Sequence, residues 1–253
     1  MNKLLQGFIL GLAQGLTEFL PVSSSGHLVL LESLGVGENN LFFNLALHVA
    51  TLAAVCIVMR KEIFAVLKNP LGSEMRFLVL SAVPTAVIAL LIKKYCPEEN
   101  EYLPFFFILT SAVLVLPNVI KKSPCPLNDR TCVKDALISG IAQGIACFSG
   151  LSRSGTTVSA LSLCGVEGEE AAKLSFLMSI PVIVGGTAVE AATGGATGVD
   201  LPSLAVGAAT AFIVGIVAIK FFMKIMKSRK LWVFSIYTFL VGIASFLIMF
   251  VKP

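Results

Sequence analysis

A chain of 253 residues with 56% hydrophobic side chains, only 13% charged ones and a mean hydropathy of +0.90 is excluded from the class of soluble domains. It reads as an all-α, polytopic integral membrane protein. The net charge of +4 is small, and no basic cluster interleaved with aromatics points to nucleic acid.

The first apolar segment, residues 3–34, is broken near its middle by Q-G-L-T-E-F-L-P-V-S-S-S-G-H, Gln14 to His27. Lys3 followed by an apolar run resembles a signal peptide, but no cleavage site follows, and the repeat described below requires the segment to stay. Gln14, Glu18, Ser23, Ser24, Ser25 and His27 therefore lie at bilayer depth. Ionisable groups there face a protein interior or a wet cavity and mark a substrate, ion or proton site.

Apolar runs long enough to span follow at 41–59, 75–93 and 102–120. A second broken segment, 133–166, carries S-G-L-S-R-S-G at Ser149 to Gly155, and three more spans follow at 169–190, 203–223 and 231–250. His48 in the first span reads as a hydrogen-bonded bundle residue, Glu190 as a wetted span end, and the loop 192–200 as flexible punctuation. Pro84, Pro117 and Pro181 read as kinks within spans. The six cysteines, Cys125 among them, show no CxxC pair and no Cys/His ligand spacing, and read as packing residues.

Sliding the chain against itself by 129 positions aligns the two broken segments. Gly11, Gln14, Gly15, Phe19, Ser23, Ser25 and Gly26 meet Gly140, Gln143, Gly144, Phe148, Ser152, Ser154 and Gly155, and the spans follow in register. The expectation is one membrane domain, 1–253, made of two repeats, 1–128 and 129–253, each a re-entrant helical hairpin followed by three transmembrane helices. If each hairpin leaves on the face it entered, three crossings per repeat turn the second copy upside down. Inverted repeats with interrupted helices meeting at the midplane are a transporter design in which the breaks mark the binding site.

Lys and Arg sort accordingly. Arg60, Lys61 and Lys68, then Lys121, Lys122, Arg130 and Lys134, then Lys220, Lys224, Lys227, Arg229 and Lys230 share one face. Lys3, Lys93, Lys94 and Lys252, with Glu98, Glu99, Glu101 and Asp200, share the other. Positive-inside bias puts the first group in the cytoplasm and the N-terminus outside.

The chemistry lies where the repeats diverge. Glu18 faces Cys147, Ser24 faces Arg153 and His27 faces Thr156. Taken alone, S-S-S-G reads as a turn and helix cap, and Arg153 as a snorkelling or structurally paired cation. Neither reading accounts for the divergence, which builds an asymmetric polar site at a pseudo-symmetric centre. Arg153 grips phosphate oxygens in pairs, and the half-helices starting near Ser25 and Ser154 present free N–H groups to an anion. Ser23, Ser25, Gly26, Ser152, Ser154 and Gly155 are thus candidates for holding a diphosphate. Glu18, with Gln14 one turn away, suits a hard cation such as Mg²⁺ or Ca²⁺, or acid/base work. His27, three residues after Ser24, is placed to activate a serine hydroxyl or a water.

At these two motifs the sequence resembles the bacterial undecaprenyl-diphosphate phosphatase family associated with bacitracin resistance. The resemblance implies a hydrolase of the bacterial plasma membrane, dependent on a divalent metal and with an outward-facing site. It would convert the lipid diphosphate to the monophosphate carrier used in cell-wall synthesis, with Glu18, Ser24, His27 and Arg153 functional. Gln14 stands where many relatives have Glu, Ser25 replaces a frequent Thr, and Ser149 replaces the usual Pro. The alternative on the same architecture is a polyprenyl-phosphate flippase or transporter. The stripe Gly7, Gly11, Gly15 offers close packing either to the bundle or to a second copy of the chain in a homodimer.

Overall fold

The computed structural model describes residues 2–37, 40–96, 99–120, 129–193, 200–228 and 230–250. Glu98, Lys121, Lys122, Cys125, Arg229, Lys252 and most of the 192–200 loop lie outside the described residues, as do the side chains of Glu99, Arg130 and Glu190.

Among the described residues every regular element is a helix. The first broken segment is α1 (Lys3–Thr17) and α2 (Ser24–Ser33), followed by α3 (Leu41–Val58), α4 (Arg60–Lys68), α5 (Ser73–Tyr95) and α6 (Leu103–Val119). The second is α7 (Asp129–Ile145) and α8 (Arg153–Cys164), followed by α9 (Gly168–Thr193), α10 (Leu201–Lys227) and α11 (Trp232–Phe250). Five helices, α3, α5, α9, α10 and α11, are long and apolar enough to cross a membrane. The sixth expected span, α6, is apolar but 17 residues long, at the lower end of crossing length. Pro84, Pro117 and Pro181 sit inside α5, α6 and α9.

Helix α4 is not foreshadowed by the run of spans. Its Arg60, Lys61 and Lys68 break the apolar pattern, while Phe64 and Leu67 stay exposed. That is the composition of a helix lying at a bilayer surface.

Between apolar helices in lipid there is little hydrophobic driving force, so close backbone approach at small residues decides which helices pair. The stripe Gly7, Gly11, Gly15 is used within the chain, against Ser203, Gly207 and Ala211 of α10. A Cβ at Gly11 would sit 2.2 Å from the Gly207 carbonyl oxygen. The counterpart contact repeats it: Gly140 of α7 lies against Ser81 and Pro84 of α5, and Gly144 against Ile88. Thr85 adds a hydroxyl bond to the Gly140 carbonyl at 2.8 Å and accepts from Gln143 Nε2 at 3.3 Å. Gln143 thus braces the second hairpin.

The main core gathers Phe19, Val22, Leu114, Val158, Leu161, Leu174, Phe176 and Phe222 beneath the hairpin tips. Phe19, Phe176, Phe222 and Phe234 run through it as a chain of inclined ring contacts, with centroids 5.7, 5.8 and 6.2 Å apart. Among the described cysteines Cys56 and Cys96 are exposed, Cys147 and Cys164 half-buried and Cys132 buried.

Candidate active site at the hairpin tips

Both hairpins restart under the same kind of serine cap, although only the first break carries a proline. Helix α1 ends at Thr17, and Pro21 lacks the N–H a continuing helix would need. Helix α2 restarts at Ser24 under the cap of Ser23, whose Oγ accepts from the Gly26 N–H at 3.4 Å. In the second hairpin Ser152 caps α8 in the same way, accepting from the Gly155 N–H at 3.1 Å. Each cap serine also lies beside the serine two residues on, Ser23 near Ser25 at 3.5 Å and Ser152 near Ser154 at 3.4 Å.

The two tips are stitched directly to each other. Ser23 Oγ accepts from the Gly150 N–H at 3.1 Å, and Ser154 donates to the Leu20 carbonyl at 3.1 Å. Ser23 has φ +69°, a left-handed conformation that costs a non-glycine residue about 1–3 kcal/mol and persists only where the surroundings enforce it. Two N–H groups from different hairpins supply that enforcement. Gly26 and Gly155 sit in the seam: a Cβ at Gly26 would lie 3.0 Å from Gly150 Cα, and one at Gly155 3.1 Å from Pro21 Cβ. On the far side Thr110 of α6 donates to the Gly150 carbonyl at 3.0 Å and accepts from the Ser152 N–H at 2.9 Å.

Glu18 is the hub of the site. It is 5% exposed, and Arg153 Nη2 forms a direct ion pair with its Oε1. The other oxygen, Oε2, accepts from Ser24 Oγ at 2.6 Å and from Gln14 Nε2 at 3.0 Å. Arg153 neutralises the carboxylate, so a charge is tolerable at this depth, and removing either member of such a pair strands the other. Gln14 is fully buried and its Nε2 also lies 3.0 Å from His48 Nδ1. Its Oε1 has no hydrogen-bond partner.

The spacing that suggested a Ser24–His27 pair yields a different geometry. Ser24 is taken by Glu18, and His27 has both ring nitrogens engaged elsewhere. His27 Nδ1 lies 2.7 Å from the Ser23 carbonyl and Nε2 lies 2.8 Å from the Tyr237 hydroxyl. One turn of α2 brings the His27 ring back over its own N-cap, where a backbone acceptor waits.

Of the expected residues, Gln14, Glu18, Ser24 and Arg153 form one hydrogen-bonded cluster, while Ser23, Ser25, Gly26, Ser152, Ser154 and Gly155 form the seam around it. His48 and Tyr237 enter this neighbourhood from α3 and α11 without having been singled out for chemistry. The divergence that marked Glu18 would have found both. At the repeat offset His48 faces Leu177 and Tyr237 faces Ile108.

Among the described residues no group of three or more His, Cys, Asp or Glu is arranged to hold a metal ion. One carboxylate and the unpartnered Gln14 Oε1 are available. That set suits a hard cation that takes most of its oxygens from a bound phosphate and water rather than a protein-only cage.

Comparison with known proteins places this site in a family context. The chain is 39% identical over 247 residues to an undecaprenyl-diphosphatase of Carboxydothermus hydrogenoformans, covering 94% of each protein. It is 37% identical over 260 residues to one of Korarchaeum cryptofilum, covering 96% of this chain and 98% of that protein. A third, from Treponema denticola, is 39% identical over 260 residues, covering 95% and 96%. The profile of the bacitracin resistance protein BacA matches residues 7–244, so the tips, the cluster around Glu18 and nearly all of the helices that carry them fall within the match. The chain belongs to the bacitracin resistance protein BacA family.

Proposed function

We propose that this protein hydrolyses undecaprenyl diphosphate to undecaprenyl phosphate and inorganic phosphate, recycling the lipid carrier for cell-wall polymer synthesis. The observation that carries the reading is the sharing of one buried carboxylate by a serine hydroxyl and an arginine, in a chain whose relatives are named for that reaction. A flippase on the same scaffold has no comparable support.

In this structure Arg153 is held by Glu18. An arriving diphosphate competes for the guanidinium, whose planar fork matches phosphate oxygens better than it matches a single carboxylate oxygen. Released from Arg153, Glu18 keeps Ser24 on Oε2 and is free to accept its proton. Ser24 Oγ then bonds to the terminal phosphorus as the bridging P–O bond breaks, and undecaprenyl phosphate leaves with that bond's electron pair. Water next displaces the serine oxygen, which recovers a proton from Glu18, and inorganic phosphate departs. The short Ser24–Glu18 contact favours this serine route over direct attack by water.

Glu18 and Gln14 Oε1 would hold the divalent cation, Mg²⁺ or Ca²⁺, which when bound neutralises phosphate charge. The free N–H groups at the starts of α2 and α8 add to the anion field.

The inverted arrangement is part of the same proposal. At one end of the bundle Ser203 of α10 donates to the Lys3 carbonyl at 2.7 Å. At the other, Lys173 of α9 reaches Glu74 of α5 at 3.2 Å, and Lys227 of α10 reaches Glu169 at 3.4 Å. These pairs join residues that the inverted topology puts on a common face. With positive-inside bias the site opens outward from a plasma membrane.

The deciding experiment is phosphate release from undecaprenyl diphosphate by the purified protein in detergent, with Mg²⁺ or Ca²⁺. Release that disappears in Glu18→Ala and Arg153→Ala is expected. No release by the wild-type protein, or movement of the head group across liposomes without release, would overturn the proposal.

A further inference from the structure

The second hydrogen-bond partner of His27 lies far away in sequence. Tyr237 of α11 brings its hydroxyl within 2.8 Å of His27 Nε2 and lays its ring parallel to the imidazole, centroids 5.7 Å apart and planes 2° from coplanar alignment. Phe107 of α6 meets the imidazole edge-on, at 5.4 Å and 88°. The imidazole is thus fixed from three directions: by its own helix start, by α6 and by α11.

The hydrogen bonds also fix the tautomer. The Ser23 carbonyl can only accept, so Nδ1 carries the proton. In the neutral ring Nε2 is then a bare lone pair, and the Tyr237 hydroxyl is the donor facing it. If Nε2 gains a proton, the same hydroxyl turns to accept, and neither ring has to move. A main-chain carbonyl partner in place of Tyr237 could serve only one of these two states.

The pair is also a one-sided feature of a two-sided fold. At the repeat offset His27 and Tyr237 correspond to Thr156 and Ile108, so the symmetry-related pair has no equivalent hydrogen bond to make. This is the pattern of Glu18 against Cys147 and Ser24 against Arg153, the residues on which the reaction is built.

We infer that Tyr237 is a positioning residue for the phosphatase reaction, holding the His27 ring in place through its bond to Nε2 while the Ser23 carbonyl fixes the Nδ1–H tautomer. The inference rests on the phosphatase reading, because it supposes that His27 serves the reaction.

The test uses the full-length protein in detergent with ¹⁵N-histidine labelling. With only two histidines in the chain, His48→Gln suffices to assign the four ring nitrogens. Tyr237→Phe deletes the hydroxyl and keeps the ring. We expect the His27 Nε2 resonance to move to the position of an unbonded lone pair, and kcat for undecaprenyl diphosphate to fall about 10- to 100-fold, the scale for partners that orient a functional histidine. KM should stay within about twofold and the thermal midpoint should be retained. An unmoved Nε2 resonance, or a wild-type kcat in Tyr237→Phe, would overturn the inference. Wild-type protein that releases no phosphate would instead overturn the phosphatase reading, and the Nε2 shift alone would then decide whether Tyr237 holds the ring.

Discussion

Ser24 and Arg153, which occupy matching positions 129 residues apart in the two repeats, bind opposite oxygens of the same Glu18 carboxylate. One repeat contributes a hydroxyl, the other a permanent cation, and the carboxylate between them belongs to the first. A site built this way cannot be assembled from either half alone.

Replacing Ser24 with Ala removes the hydroxyl that Glu18 Oε2 accepts from while leaving the Arg153 pair intact. Phosphate release should fall at least about 10³-fold with little change in thermal stability. With terminally ³²P-labelled substrate, wild-type protein quenched in acid should carry label on Ser24, and Ser24→Ala should carry none. Label-free wild-type protein with normal turnover would argue for direct water attack.

Arg153→Ala leaves a buried carboxylate without its countercharge, which should cost about 3–5 kcal/mol of stability as well as activity. Adding Glu18→Gln in the same protein should restore most of the melting midpoint in detergent and none of the turnover. Arg153→Lys should hold the fold but lose most activity, since an ammonium cannot offer the planar fork. A double variant no more stable than Arg153→Ala alone would mean that the pair is not what holds these tips.

Gln14 supplies an uncharged oxygen where a second carboxylate would strengthen cation binding. Gln14→Glu should therefore lower the Mg²⁺ or Ca²⁺ concentration needed for half-maximal phosphate release, and EDTA should abolish release in both proteins. An unchanged metal requirement would remove Gln14 from the metal-binding set.

Gly11→Val would push a side chain into the Gly207 backbone, with the first added carbon already 2.2 Å from its carbonyl oxygen. A loss of at least about 1–3 kcal/mol is expected from the overpacking, read as a lower melting midpoint. Gly185→Ala on α9 is the control, since nothing lies within 4 Å of a Cβ there.

Much of this was legible in the chain because the repeat offset turns one sequence into a two-member comparison. It located the hairpin tips, the seam serines and the Glu18, Ser24 and Arg153 set. It gave helix restarts one residue late, at Ser25 and Ser154 rather than Ser24 and Arg153, because a cap serine and a first-turn serine look alike in sequence. It did not give the wiring. Whether Ser24 turns toward Glu18 or His27 depends on how α1 meets α2 across the break, and Tyr237 reaches His27 only through the packing of α11 on α2 and α6. Helix α4 was hidden because a nine-residue amphipathic piece has no span-length signal.

Gly7 and Gly11 of α1 approach the backbone of Ser203 and Gly207 on α10, and Gly140 of α7 approaches the backbone of Ser81 on α5. Each hairpin arm is therefore keyed to a long helix of the opposite repeat and can shift only by carrying that helix along. The mechanical units of this protein, a plate of α1 with α10 and another of α5 with α7, cut across the duplication written in its sequence. Any opening that lets a lipid head group reach Glu18 must therefore part those plates or bend the short helices α2 and α8 that pack on α1 and α7.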